Sequence, residues 1–250
     1  MAIDIIVVRV HHQRAYVLVN RPYSETSWIV EIFSRDFGRL GLMAKGARRL
    51  KSKLKGSLMP FQPILVSWTG KGELPILTSA EIDQTDYNLV DHELRGDAMV
   101  CGFYCNELIV NLLHRHDPHA ALFDRYHSTV MALAQAGSEE LLPLVLRKFE
   151  QVVMKETGYQ INFDFEADGK TLIEDHGLYR YQPSQGFVRL GSMQRGAFSG
   201  RVIKSLNTQT SVRLTNQEGS QGKQLMRDIL NQTLGRKPII SRELFYPKSR

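Results

Sequence analysis

Over the first 82 residues, apolar and polar positions alternate in short runs, the two-residue period of half-buried strands. Residues 14–20 (RAYVLVN) are apolar and rich in β-branched side chains. Residues 26–34 (TSWIVEIFS) put Trp28, Val30 and Ile32 on one parity, and residues 38–47 (GRLGLMAKGA) put Leu40, Leu42 and Ala44 on one face. Residues 63–70 and 74–82 form a fourth and a fifth run, joined through the turn GKGE. Between the second and third runs, RDFG ends on Gly38, which tolerates the positive φ of a tight turn. Five short strands, a longer insert after the third and no helical period among them predict an OB-type barrel rather than an α/β fold.

The period changes after residue 82. Residues 91–116 carry Met99, Phe103, Leu108 and Leu112 at helical spacing. Residues 118–137 begin with proline and stop at Gly137, and residues 138–159 open on Ser138 as N-cap with acids in the first turn and close at Gly158. A last helix is expected over 222–234. The stretch from about 160 to 220 is turn-rich with short strand-like pieces. The expected class is therefore α+β: an N-terminal barrel over 1–82, then a mainly helical domain over 83–250 with an irregular insert. The boundary falls near EIDQTDYN.

Charge adds a direction. Residues 1–80 hold twelve lysines and arginines against five acids, whereas the remaining residues hold twenty against twenty-one. The excess belongs to the barrel, which points to an acidic polymer or surface as its partner. Cys101 and Cys105 lie four apart, the spacing of one helix face. Two cysteines cannot build a disulfide framework or a four-ligand zinc site, so they read as buried thiols in a reducing compartment. No signal peptide and no membrane-spanning run are expected.

Motifs for chemistry are missing. GSQGKQ lacks the spacing and hydroxyl of a phosphate loop. The DFG at Asp36–Gly38 has no companion kinase motifs and reads as a turn. The best metal candidate, His114, His116, Asp117 and His119, sits at a helix–proline–helix junction where polar residues are expected anyway. A binding protein without catalysis or cofactor is the expectation.

Residues 33–61 contain eight basic residues, Arg35, Arg39, Lys45, Arg48, Arg49, Lys51, Lys53 and Lys55, against the single acid Asp36. Such a run is often just a solvated face. Here it flanks a barrel strand and continues into the insert after it, the arrangement in which OB barrels track a nucleic-acid backbone. Trp28, Phe33, Phe37, Phe61 and Trp68 are the candidate stacking aromatics, most of them expected in the core.

The stretch RPYSETSWIVEIFSRDFGRLGLMAKGARR resembles the N-terminal signature of the RecO family of bacterial recombination mediators. LKGSLMPFQPILV, FYCNELIVNLL, LRKFEQVVMKETGYQINF and the late SREL are similar to that family in the same order. The resemblance implies an OB fold followed by a helical domain. It implies binding of single- and double-stranded DNA, annealing of complementary strands and help in loading RecA onto strands coated by the single-strand-binding protein SSB. It further implies RecR and in many bacteria RecF as partners, no membrane, a cytoplasmic location and no nucleotide hydrolysis. The implied SSB-tail site takes Arg147 as the cation for the terminal carboxylate and Lys148 as helper, with Leu142, Val145 and Phe149 as the apolar slot. The alternative for Arg147 is an i,i+3 pair with Glu150 on a solvated face.

One departure stands out. Many RecO-like proteins carry a four-cysteine zinc site after the segment matching TGYQINF, and this chain has no cysteine there. A zinc-free insert is implied, held by Leu172, Ile173, Tyr179 and Tyr181. Two other classes remain open at this level: an OB-fold RNA-binding protein, which would bind RNA equally well, and a metal-dependent nuclease, which would cleave strands.

Overall fold

The computed structural model describes residues 9–85, 93–136, 141–207, 215–235 and 237–245. Strands β1 (Arg9–Tyr23), β2 (Ser27–Ser34), β3 (Gly38–Ala44), β4 (Pro63–Thr69) and β5 (Ile76–Ile82) close into a barrel in the order β1-β2-β3-β5-β4. Neighbours are antiparallel except β3 and β5, which meet in parallel at Met43 and Ile76. The expected parity holds: Val30, Ile32, Leu40, Leu42 and Ala44 are buried together with Ile64, Val66 and Trp68, and Trp28 packs against them. Burying each large aliphatic contributes about 1.5–3 kcal/mol. The four-residue helix α1 (Leu54–Ser57) lies in the connection from β3 to β4.

Two positions fix the local chain path. Gly38 has φ +66°, and a Cβ there would stand 2.1 Å from the Asp117 carbonyl oxygen, so only glycine fits against the 115–117 segment. The register of β1 shifts between Val17 and Val19, and the Leu18 carbonyl released by this bulge accepts from buried Asn106 Nδ2 at 3.0 Å. Asn106 belongs to helix α2 (Gly96–Leu112), and its Oδ1 accepts from Tyr126 of helix α3 (Ala120–Gln135). Tyr16 of β1 and Phe33 of β2 face outward onto Phe123 and Tyr126.

The chain separates into two compact units, Met1–Phe149 with Ile239–Arg250, and Glu150–Pro238. The sequence placed the boundary near residue 82. That change from strands to helices lies within the first unit, because α3 covers the outward aromatics of β1 and β2 and α2 bonds to the β1 bulge. Helix α4 (Leu142–Glu156) runs from the first unit into the second. It ends at Gly158, φ +82°, as expected. The expected starts and stops at Ser138 and Gly137 lie outside the described residues. Cys101 and Cys105 are buried free thiols on α2. A 3₁₀ turn (Ile240–Phe245) returns to the first unit, where Glu107 accepts from the amides of Ile240 and Ser241 at 2.6 and 2.8 Å.

The second unit holds a small sheet, β7-β6-β8, of β6 (Leu178–Gln182), β7 (Gly186–Leu190) and β8 (Phe198–Ser199), followed by helices α5 (Gly200–Ser205) and α6 (Asn216–Leu234). Helix α6 starts six residues before the expected 222 because Thr215 and Glu218 form a reciprocal capping box. Of the four residues expected to hold the insert, Ile173 and Tyr179 are buried and Tyr181 is partly so, but Leu172 is exposed. Adjacent positions in an extended segment point to opposite sides, and Ile173 takes the inward one. Phe163 and Phe187 complete that core. The Tyr179 hydroxyl accepts from the Glu174 amide at 3.0 Å and donates to Glu166 at 3.2 Å, while Arg189 reaches both Glu166 and Glu174. No group of three His, Cys, Asp or Glu able to hold a metal occurs among the described residues.

Candidate nucleic-acid interface

Six of the eight basic residues form one exposed run. Lys45, Arg48, Arg49, Lys51, Lys53 and Lys55 all face solvent in the connection after β3. The run is stitched down from behind. The Arg48 amide donates to the Thr26 carbonyl at 2.9 Å and its guanidinium to the Ser24 carbonyl at 2.7 Å, so the segment is bound to the β1–β2 turn. Arg49 N donates to Gly46 O at 3.1 Å and Ser52 N to Arg49 O at 3.0 Å, forming successive turns. Ala47 and Leu58 are buried in the barrel core and Leu54 packs on it. The apolar positions anchor the segment and the cations between them are exposed to solvent.

Arg35 and Arg39 are used differently. Arg35 forms a two-bond pair with Asp124, at 3.0 and 3.1 Å, which raises its already high pKa. Arg39 donates to Glu31 and to the Leu113 carbonyl. Glu31 is buried in β2 and also receives Arg115 at 2.6 and 3.2 Å. These hydrogen bonds, ahead of the Glu31 charge itself, hold the Arg115 guanidinium more firmly protonated. One carboxylate thus absorbs two cations, and the basic residues of 33–61 left exposed are those of the 45–55 run.

Beside Glu31, a cavity of about 220 Å³ is lined by Val19, Arg21, Ile29, Glu73, Leu74 and Arg115. Arg21 and Tyr23 are exposed on the same strand face of β1. The sequence reading missed them and Arg115. The alternation of Arg21 and Tyr23 was a usable signal, whereas Arg115 lies 84 residues from Glu31 and carries none. Of the candidate stacking aromatics, Phe33 and Trp68 are buried, Trp28 and Phe61 partly so, and Phe37 is exposed while packing edge-on against Trp68 at 5.0 Å. The His114–His119 junction is structural: His116 N donates to Arg39 O at 2.9 Å, and His119 pairs with Asp117 at 3.2 Å.

On α4, Arg147 is half-buried and Lys148 exposed, while Leu142 and Phe149 are buried, the latter against Tyr126 at 6.2 Å. The apolar surface accessible there is Leu141, Leu144 and part of Val145, which with Lys148 form one stripe at i, i+3, i+4 and i+7. Glu150 is buried, so the solvated-face reading of that position does not hold.

Comparison with known proteins agrees with this architecture. Residues 8–85 match the family model "Recombination protein O N terminal" and residues 94–243 match "Recombination protein O C terminal". The chain is 38% identical over 242 residues to the DNA repair protein RecO of Thiobacillus denitrificans, covering 94% of this chain and 91% of that one. The RecO proteins of Aromatoleum aromaticum (39% over 242 residues, 94% and 95%) and Photobacterium profundum (38% over 238 residues, 95% and 97%) are similarly related. A five-stranded barrel with a displayed basic run, a helical continuation and two family matches spanning the chain lead to one conclusion: this protein belongs to the RecO family of DNA repair proteins.

Proposed function

We propose that this protein is a recombination mediator that works by binding alone. It binds single- and double-stranded DNA through the 45–55 run, anneals complementary strands and helps RecA load onto SSB-coated single strands in the cytoplasm. The observation that carries this reading is the anchored, outward-facing run of six cations beside a closed OB-type barrel. Phosphate contacts of this kind fix position and carry no base information, so binding tolerates any sequence. Arg35 and Arg39 act behind the run by shaping the barrel surface. The tail of SSB docks on α4, its terminal carboxylate at Arg147 and Lys148 and its apolar residues along Val145 and the neighbouring leucines; Leu142 and Phe149 support that surface from within. RecR is the direct partner, with RecA and in many bacteria RecF as functional partners.

The first test is a salt titration. With about five phosphates neutralised on a single strand, log K against log salt falls with a slope of about −3.5. The double variant Arg48→Glu, Arg49→Glu lowers affinity for every sequence alike and flattens the slope. Equal affinity of variant and wild type, with the fold intact by circular dichroism, would contradict the assignment. Equally tight RNA binding without annealing of DNA would favour an RNA-binding role instead.

A further inference from the structure

Leu50 is the most solvent-exposed large apolar side chain among the described residues, at 96%. It sits at the second position of the turn closed by Ser52 N to Arg49 O, between Arg48, Arg49 and Lys51. Its presentation is fixed. Ala47 and Leu58 are buried in the barrel and Leu54 packs on the same core, so these three turn inward while Leu50 turns out. A lone exposed leucine on a neutral surface calls for no explanation. This one stands at the tip of an anchored turn with cations on both sides.

We infer that Leu50 is a wedge that enters a base step of bound DNA. The inference rests on the DNA-binding role of the 45–55 run and names the part of that site which touches bases. Cations flanking the leucine hold the sugar–phosphate backbone on either side of it. The apolar surface then nearest to Leu50 is the stacked faces of adjoining bases. Aliphatic wedges inserted between base steps unstack them and recover the transfer free energy that an exposed side chain forgoes. Every base step offers such a face, so the contact adds affinity without sequence choice. In a protein that pairs complementary strands, an unstacked step also leaves base edges open to a second strand.

The test uses the full-length protein and an oligodeoxynucleotide carrying 2-aminopurine, whose emission rises on unstacking, alongside a dye-labelled copy for affinity. Wild type raises the 2-aminopurine emission on saturation, because the wedge unstacks the labelled step. Leu50→Ala binds about five-fold more weakly, keeps the salt slope and loses the rise, while Leu50→Phe retains it. A full rise in Leu50→Ala, or tight wild-type binding with no rise, overturns the wedge and leaves phosphate binding by the run intact. Failure of wild type to bind the oligonucleotide overturns the DNA-binding reading and the wedge with it. Leu50-dependent binding of phosphatidylserine vesicles with a silent 2-aminopurine signal assigns the leucine to a lipid surface and overturns the wedge as well.

Discussion

Glu31 lies in a strand whose neighbours Val30 and Ile32 are barrel core, and it is the acceptor for Arg39 and Arg115. Removing one member of a buried charge cluster strands the others, so Glu31→Gln lowers stability by about 3 kcal/mol in urea unfolding. A loss below about 0.5 kcal/mol would mean that the arginines are satisfied by solvent. Asp83 carries a pH dependence. Burial pushes its carboxyl up, but hydrogen bonds from Thr85 and Arg14 outweigh this and hold it below the ordinary carboxylate value. A depressed folded-state pKa stabilises the protein above the unfolded value of about 3.9, and that contribution fades as pH falls through the folded value. Asp83→Asn therefore costs stability at neutral pH, and its deficit against wild type narrows below about pH 4. A deficit that stays constant down to pH 2 would contradict this. Neither partner set was legible in the sequence, since Arg14 and Asp83 are 69 residues apart and Arg115 and Glu31 are 84.

At the scale of elements, strands were legible wherever one face is buried and the other is not. Val30 and Ile32, and Leu40 and Leu42, declared the barrel interior by parity alone. The apolar repeat of helix α6 points to a start at 222, whereas the polar pair Thr215 and Glu218 carries the true start. Leu172 is apolar yet exposed, because backbone alternation gives the inward position to Ile173. Helix α4 shows the same limit at the proposed SSB-tail site: the sequence named Leu142 and Phe149, yet tertiary packing buries both and leaves Leu141 and Leu144 outside. Arg147→Ala is expected to weaken binding of a labelled SSB tail peptide at least about tenfold while oligonucleotide affinity stays near wild type, since an arginine–carboxylate contact is a charge-assisted bond. Unchanged peptide binding would place the tail site elsewhere.

For the molecule as a whole, the charge asymmetry in the sequence places the basic excess in the barrel's third of the chain. It could not separate displayed cations from consumed ones. Folding assigns Arg35 to Asp124 and Arg39 to Glu31, and leaves the 45–55 run exposed on an anchored turn. The second unit dispenses with cysteine ligands, and its insert is organised around buried Tyr179 with Arg189, Glu166 and Glu174. In the proposed mediator, the barrel's run handles the strands and α4 faces the partner. These surfaces meet in one activity, which a single assay reads: annealing of complementary oligonucleotides pre-coated with SSB. Wild type is expected to accelerate annealing, Arg48→Glu with Arg49→Glu to abolish the acceleration on bare and coated strands alike, and Arg147→Ala to lose it only on coated strands. No acceleration by wild type, or full activity in the Arg48/Arg49 double variant, would contradict the mediator role.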